Sequence, residues 1–233
     1  MSFEAGPLPT REAVRIGHQV PRANFRSRGG EISFGKLVFD KIFAVAALFT
    51  LAPLFLVIAI ANRVGDNGPV FYKHQRIGQN GKPFYCLKFR SMRVDSAEVL
   101  AHLLATDPVA RAEWDRDQKL TNDPRIHPVG KFLRKTSLDE LPQFWNVLKG
   151  DMSIVGPRPI IADEAKRYGM HFADYFAVRP GITGAWQVGG RNLTSYDERV
   201  ALDVDYVRNA TLADDLRIVV KTFAVVLTQE GAS

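Results

Sequence analysis

The chain has 233 residues, one cysteine (Cys86), 31 lysines and arginines against 25 aspartates and glutamates, a net charge of +6 and a pI near 9.5. This length predicts one domain with appendages and is enough for a real core. The single cysteine excludes a disulfide framework and suits a reducing compartment, with Cys86 read as a small buried hydrophobe. The positive balance points to an anionic partner: nucleotide, phospholipid or nucleic acid.

Residues 1–35 hold several arginines and prolines with little apolar periodicity. They predict a loosely ordered basic tail, either lying against anionic lipid or merely flexible. Ile42 to Ala61 is a run of twenty residues without a charge. As a straight helix it would reach roughly 30 Å, the thickness of a bilayer core. Pro53 sits just past its middle and removes a backbone hydrogen bond. Lys36 and Lys41 precede the run, and Arg63, Lys73 and Arg76 follow it. A spanning helix would strand one basic cluster outside, against the positive-inside rule. A re-entrant helix broken at Ala52-Pro53 is the favoured reading and a simple span the alternative. The segment assigned to the membrane is 36–62, and residues 63–233 form the cytoplasmic unit.

Val70 to Tyr72 and Phe84 to Leu87 are strand-like, with Asn80-Gly81 as the turn of a β-hairpin. Lys88-Phe89-Arg90-Ser91-Met92 follows, either a solvated strand end or a mount that aims Arg90 at a phosphate. Ser96 to Leu104 has a helical pattern. Asp107-Pro108 reads as the cap and first position of another helix. Ser137-Leu138-Asp139-Glu140-Leu141-Pro142-Gln143 brings two adjacent carboxylates to a helix start. Ser137 and Glu140 fit a capping box, whereas Pro142 fits a start at the proline itself. Either way the acids lie at or just before a helix N-terminus, where negative charge is favoured. Neighbouring helical residues do not face each other, so two acids there suit two jobs: a nucleophile on phosphorus and a ligand to Mg²⁺. The plain alternative is a first turn stabilised by ordinary acids.

Gly156-Pro157-Arg158-Pro159 holds Arg158 in a stiff extended loop, because a residue before proline is pushed out of helical geometry. Residues 163–176 read as helical. Arg179-Pro180-Gly181-Ile182-Thr183-Gly184 and Gly189-Gly190-Arg191-Asn192 are glycine-rich loops around Ala185 to Val188, read as strand-like or a tight turn. Tyr196 to Arg208, carrying Asp203, and Asp214 to Thr228 complete the pattern as helices.

In this order, the proline-broken apolar run and these five motifs resemble the monotopic phosphoglycosyl transferases, the bacterial sugar transferases that prime polysaccharide assembly. The resemblance runs from about Phe34 to Thr228. It implies an α+β fold: a mostly helical catalytic unit with a β-hairpin, anchored by a proline-broken re-entrant membrane helix. It also implies the bacterial inner membrane, with the catalytic unit facing the cytoplasm, and Mg²⁺ as cofactor. The implied donor is a UDP-sugar, with galactose or glucose expected, and the acceptor is undecaprenyl or another polyprenyl phosphate. Transfer of a sugar 1-phosphate would release UMP and start an exopolysaccharide repeat unit. Larger relatives carry further N-terminal membrane segments, so the chain looks like the minimal form.

Carried over by motif, Asp139 matches the nucleophile and Glu140 its metal-binding partner. Arg90, Arg134, Arg158, Arg191 and Asp203 match polar residues around the substrate. Ala52-Pro53 departs from the frequent Ser-Pro break. Anionic lipid is an expected partner, nucleic acid is not, and a homodimer is compatible with the sequence. The competing reading is a membrane-anchored basic binding protein without chemistry.

Overall fold

The computed structural model describes residues 34–65, 67–117, 119–189 and 194–228. The basic tail therefore lies almost wholly outside the described residues, as does Arg191. The fold is mostly helical with two small sheets, one antiparallel and one parallel.

Helices α1 (Phe34–Thr50) and α2 (Ala52–Gly65) form a pair whose axis turns by 59°. Pro53 causes the bend, because it has no N–H for the carbonyl of Phe49 and sits in the first turn of α2, where proline is tolerated. No single helix among the described residues is long and apolar enough to cross a membrane, but this bent pair passes the same test together. Much of its surface is exposed and apolar, including Ile42, Phe49, Leu56, Val57 and Ile60.

Both outer ends of the pair return to the folded unit. From α1, Lys36 bonds Asp215 at 2.7 Å, Asp40 accepts from the Ile154 N–H at 3.0 Å, and Lys41 donates to the Val147 and Leu148 carbonyls. From α2, Ile58, midway along the helix, packs with Phe89 and Leu133, and at the outer end a Cβ on Gly65 would lie 3.9 Å from Val129.

Strands β1 (Phe71–Ile77) and β2 (Pro83–Phe89) form the expected hairpin, in register from Phe71 with Phe89 to Ile77 with Pro83. Asn80 and Gly81 both have positive φ, as the Asn-Gly pair predicts. Helix α3 (Ser96–Thr106) is followed by α4 (Pro108–Asp117). The Asp107 carboxylate accepts from the N–H groups of Val109 and Ala110, so this cap forms as read. Helix α5 (Pro128–Lys135) leads to a 3₁₀ turn at Leu138–Glu140 and then to α6 (Gln143–Lys149), which ends on Gly150 at φ +92°.

Strand β3 (Ser153–Val155) pairs in parallel with β4 (Gly181–Thr183). Between them lie α7 (Ala162–Ala165), a 3₁₀ segment at Lys166–His171 and α8 (Phe172–Ala177). The stretch read as helical over 163–176 forms in these three pieces, interrupted at Gly169, whose φ of +49° and ψ of −124° no helix accommodates. Ala185 to Val188 is neither strand nor turn but lies in the short helix α9 (Ala185–Gly189). Helices α10 (Tyr196–Asn209) and α11 (Leu212–Thr228) close the fold.

Ala44, Cys86, Val147, Met152, Ile154 and Val219 share one core, which joins α1, β2, α6, β3 and α11. Cys86 is buried there, and burial pushes its thiol up to about 11. Gly156 and Gly181 are pressed backbone to backbone: a Cβ on Gly181 would lie 2.1 Å from the Gly156 nitrogen. The Gly156–Pro159 segment and the 179–184 loop thus approach each other, and this contact fixes the base from which Arg158 projects.

Lys41 donates to two carbonyls at the C-terminus of α6, those of Leu148 and of Val147, the latter also accepting from the Gly150 N–H. Lys41→Met is expected to lower stability by about 1–3 kcal/mol, read as a fall in the midpoint of thermal unfolding in detergent. An unchanged midpoint would mean that the α1–α6 contact rests on apolar packing alone.

Candidate active site

The two acids sit in a tight turn held by its apolar neighbours. Leu138 and Leu141 pack on the cluster of Ile58, Phe89 and Leu133, which turns Asp139 and Glu140 towards the hairpin. Ser137 adopts the left-handed conformation, φ +57°, and its side chain caps nothing. The expected capping box is therefore absent: with its backbone in that conformation, the serine turns the chain instead. Pro142 is itself the N-cap of α6, in helical conformation, and the helix begins one residue later at Gln143. The acids thus lie just before a helix start.

Asp139 and Glu140 converge on one cation. Lys88 Nζ donates to Glu140 Oε1 at 2.7 Å and stands 3.6 Å from Asp139 Oδ2. Lys88 reaches them because Asn146 fixes β2 against α6. The buried Asn146 side chain donates to the Tyr85 carbonyl at 2.7 Å and accepts from the Leu87 N–H at 2.9 Å. One residue further along the strand is Lys88.

The carboxylates are driven apart electrostatically. Burial pushes Asp139 above the usual carboxylate range, and the charge on Glu140 adds to this, while Lys88 and Arg134 oppose it. Burial also pushes Glu140 up, but Lys88, Arg158 and Arg76 outweigh it and hold that group down at about 2. Glu140 therefore stays ionised, and Asp139 is the more basic of the two. Two neighbouring acids separated in this way suit different roles.

Both acids line a cavity of about 1060 Å³. One wall is ionic and aromatic: His74, Arg76, Lys88, Arg134, Arg158, Trp186 and Arg199. Another is apolar: Phe43, Leu51, Phe144, Val219 and Phe223, contributed by α1, the α1–α2 bend, α6 and α11. His74 is driven down to about 4 by burial and by Arg76, Lys88 and Arg158, so it is neutral at pH 7 and its Nδ1 accepts from Arg76 at 3.2 Å.

Of the residues predicted from sequence, Asp139, Glu140, Arg90, Arg134 and Arg158 all line this cavity. Arg134 Nε donates to Ser91 Oγ at 2.8 Å. The Arg90 guanidinium donates to the Pro69 and Met92 carbonyls, clamping the chain on either side of the hairpin. Arg158 lies over the Trp186 ring and makes no ion pair among the described residues. Asp203 sits behind the wall, where it accepts from the Tyr168 hydroxyl at 2.7 Å and lies 4.0 Å from Arg199 Nε. Burial raises it to about 6, against the Tyr168 bond and the charges of Arg199 and Arg158.

Sequence reasoning passed over Lys88, His74, Trp186 and Arg199. For Lys88 a signal existed: strand alternation puts it on the same face as Phe84 and Cys86, both of which point into the core.

Among the described residues, no three His, Cys, Asp or Glu side chains form a metal cage. Mg²⁺ needs none, since it takes one or two carboxylates together with substrate phosphates. Lys88 bonds Oε1 of Glu140, which leaves Oε2 for a cation, so the donor set fits.

A family model described as bacterial sugar transferase matches residues 32–229. The undecaprenyl-phosphate galactose phosphotransferase of Salmonella typhimurium is 54% identical over 199 residues, covering 85% of this chain and 42% of that protein. The exopolysaccharide production protein ExoY of Rhizobium meliloti is 48% identical over 197 residues, covering 84% of this chain and 87% of its own length. The UDP-glucose:undecaprenyl-phosphate glucose-1-phosphate transferase of Xanthomonas campestris pv. campestris is 40% identical over 242 aligned residues, 99% of this chain and 47% of that protein. The chain thus spans less than half the length of the Salmonella and Xanthomonas relatives.

Lys88→Met leaves two largely buried carboxylates without their cation and is expected to cost about 2–3 kcal/mol at neutral pH. The sign of the pH dependence follows from linkage. With Lys88, the depressed Glu140 stabilises the fold above the ordinary glutamate range, and this contribution is lost as pH falls through about 2. Without Lys88, the folded-state carboxylates bind protons more tightly than the unfolded ones. The deficit of Lys88→Met should then shrink as pH drops from neutral towards the ordinary carboxylate range. Denaturant unfolding at several pH values measures it, and a deficit constant with pH would refute the pairing.

Proposed function

The chain belongs to the bacterial sugar transferase family, and from that premise we propose that it transfers a sugar 1-phosphate from a UDP-sugar to a polyprenyl phosphate. The observation that carries this reading is the cavity. Its acid pair faces a cationic wall suited to a diphosphate and an apolar wall suited to a lipid. A pure anion binder has no use for the acids, which argues against the binding-protein alternative.

In the proposed reaction, a carboxylate oxygen of Asp139 attacks the phosphorus that bears the sugar. The bond from that phosphorus to the bridging oxygen breaks, and UMP leaves with the electron pair. A sugar-phosphoryl ester of Asp139 remains, which makes the kinetics ping-pong. An oxygen of the polyprenyl phosphate then attacks the same phosphorus, freeing Asp139 and forming a polyprenyl-diphosphate sugar. Lys88 and Arg158 offset the charge on the transferring group, where positioning and electrostatics carry most of the catalysis. Glu140 would hold Mg²⁺ together with the diphosphate, and the ion would supply further charge neutralisation when bound. Asp139 is assigned the attack because it is the more basic carboxylate, whereas Glu140 is held ionised by its cations. The names of the relatives favour galactose or glucose as the sugar.

The bent helix pair is assigned to the cytoplasmic face of the inner membrane as a re-entrant element. Support comes from its exposed apolar surface and from the return of both outer ends to the same folded unit, through Lys36, Asp40 and Lys41 at one end and Gly65, close to Val129, at the other. A span would carry those ends to opposite faces of the bilayer.

Intact-mass spectrometry of the detergent-purified protein with Mg²⁺ and a UDP-sugar panel tests the mechanism. One sugar-phosphate should be gained without lipid, and Asp139→Asn should gain none. An adduct that persists in Asp139→Asn would move the nucleophile elsewhere. UMP release that occurs only with polyprenyl phosphate present would replace ping-pong with direct transfer. Glu140→Gln should weaken the Mg²⁺ dependence of UMP release, and an unaltered Mg²⁺ titration would remove that role.

A further inference from the structure

Arg199 stands out on the cationic wall. It is buried, with 7% of its surface exposed, yet among the described residues its Nε and Nη2 have no hydrogen-bond partner. Its nearest carboxylates, Glu164 and Asp203, are 3.9 and 4.0 Å away, beyond hydrogen-bond distance. The guanidinium lies 4.8 Å from the ring centre of Trp186 and 5.0 Å from that of Tyr196, which fix its plane. Among the described residues Trp186 Nε1 is also buried without a partner. Arg199 and Trp186 both line the cavity that holds the acid pair. Unpaired buried donors are costly, and these three nitrogens can donate but not accept. A ligand that satisfies them must be rich in acceptor oxygens.

We propose that Arg199 and Trp186 form a phosphate-monoester subsite, next to the position of the transferred phosphoryl group. This rests on the sugar-nucleotide reading given above. The transferred group belongs beside Asp139, Lys88 and Arg158, and Trp186 links Arg158 to Arg199 because both arginines lie over its ring. In a sugar nucleotide the group adjoining the transferred phosphorus is the nucleoside phosphate, which becomes a monoester when it leaves. In-line displacement adds a constraint. The acceptor phosphate must approach opposite the Asp139–phosphorus bond, from the side that the leaving group vacated. One set of donors can therefore serve UMP first and the lipid phosphate second.

The test is calorimetric binding to the full chain in detergent, carrying Asp139→Asn so that no chemistry occurs. The probes are UMP, uridine, farnesyl phosphate and the UDP-sugar panel, and the variants are Arg199→Gln and Arg199→Lys. Arg199→Gln should weaken UMP about tenfold or more, the scale of a lost charged hydrogen bond, and leave uridine unchanged. Arg199→Lys should recover part of the loss. An equal loss for farnesyl phosphate would show that the two monoesters share the subsite; a loss for UMP alone would limit it to the nucleotide, and one for farnesyl phosphate alone to the lipid. Unchanged affinity for both phosphates would overturn the proposal. So would a parallel fall of UMP and uridine with a lower unfolding midpoint, which marks Arg199 as a support for Asp203 and Glu164. If Arg199-intact protein binds neither UMP nor any UDP-sugar, the sugar-nucleotide reading falls as well.

Discussion

The arrangement depends on one ammonium group placed between two carboxylates. Removing two charges from water costs several kcal/mol each, and mutual attraction repays this only with good geometry. Lys88 has that geometry because it sits on a strand. The hairpin pairing sets its height, and Asn146 sets the distance from β2 to the turn that carries the acids. A lysine on a loop would add the entropy cost of ordering the loop backbone and bring less precision. The same placement leaves Asp139 and Glu140 facing the cavity, because their apolar neighbours Leu138 and Leu141 take the opposite side of the turn.

Around that centre the cations are graded by what already holds them. Arg90 is clamped by carbonyls and Arg134 is tied to Ser91, so both stiffen the wall. Arg76 is engaged by Glu164 at 3.5 Å and by neutral His74. Arg158 and Arg199 are positioned mainly by aromatic faces, which orient a guanidinium while leaving its N–H groups for a ligand. A wall built in this way is stiff at its base and keeps guanidinium donors without protein partners among the described residues, the condition that the proposed electrostatic preorganisation needs.

Much of this was legible in the sequence because it rests on local rules. The bend at Pro53, the Asn80-Gly81 turn and the Asp107 cap each follow from the chemistry of one or two residues, and each formed. Ser137 misled because its spacing to Glu140 fits a capping box, while the tight 3₁₀ turn demanded a left-handed residue at that position. Ala185 to Val188 misled because four apolar or neutral residues between glycines have no period to separate strand from short helix. For Lys88 alternation with Phe84 and Cys86 was a signal, but a weakened one, because Phe89 on the opposite face of β2 is also apolar and as buried as Cys86. The Arg199–Trp186 contact joins α9 to α10 by packing that no spacing in the chain encodes.

Asp139 and Glu140 are neighbours in sequence, touch the same lysine and line the same cavity, so proximity alone assigns no roles. What separates them is the direction in which each is surrounded. Lys88, Arg158 and Arg76 together outweigh the burial of Glu140. For Asp139, Lys88 and Arg134 are opposed by both burial and the charge of Glu140 itself. Under the proposed mechanism Glu140 would serve Asp139 as a fixed negative charge that adds to burial in raising the basicity of its neighbour. A cation bound at Glu140 together with the substrate diphosphate would offset part of that charge while drawing electron density from the phosphorus. The dyad is therefore one acid made more basic by burial first and by its neighbour second, beside another whose charge the surrounding cations maintain.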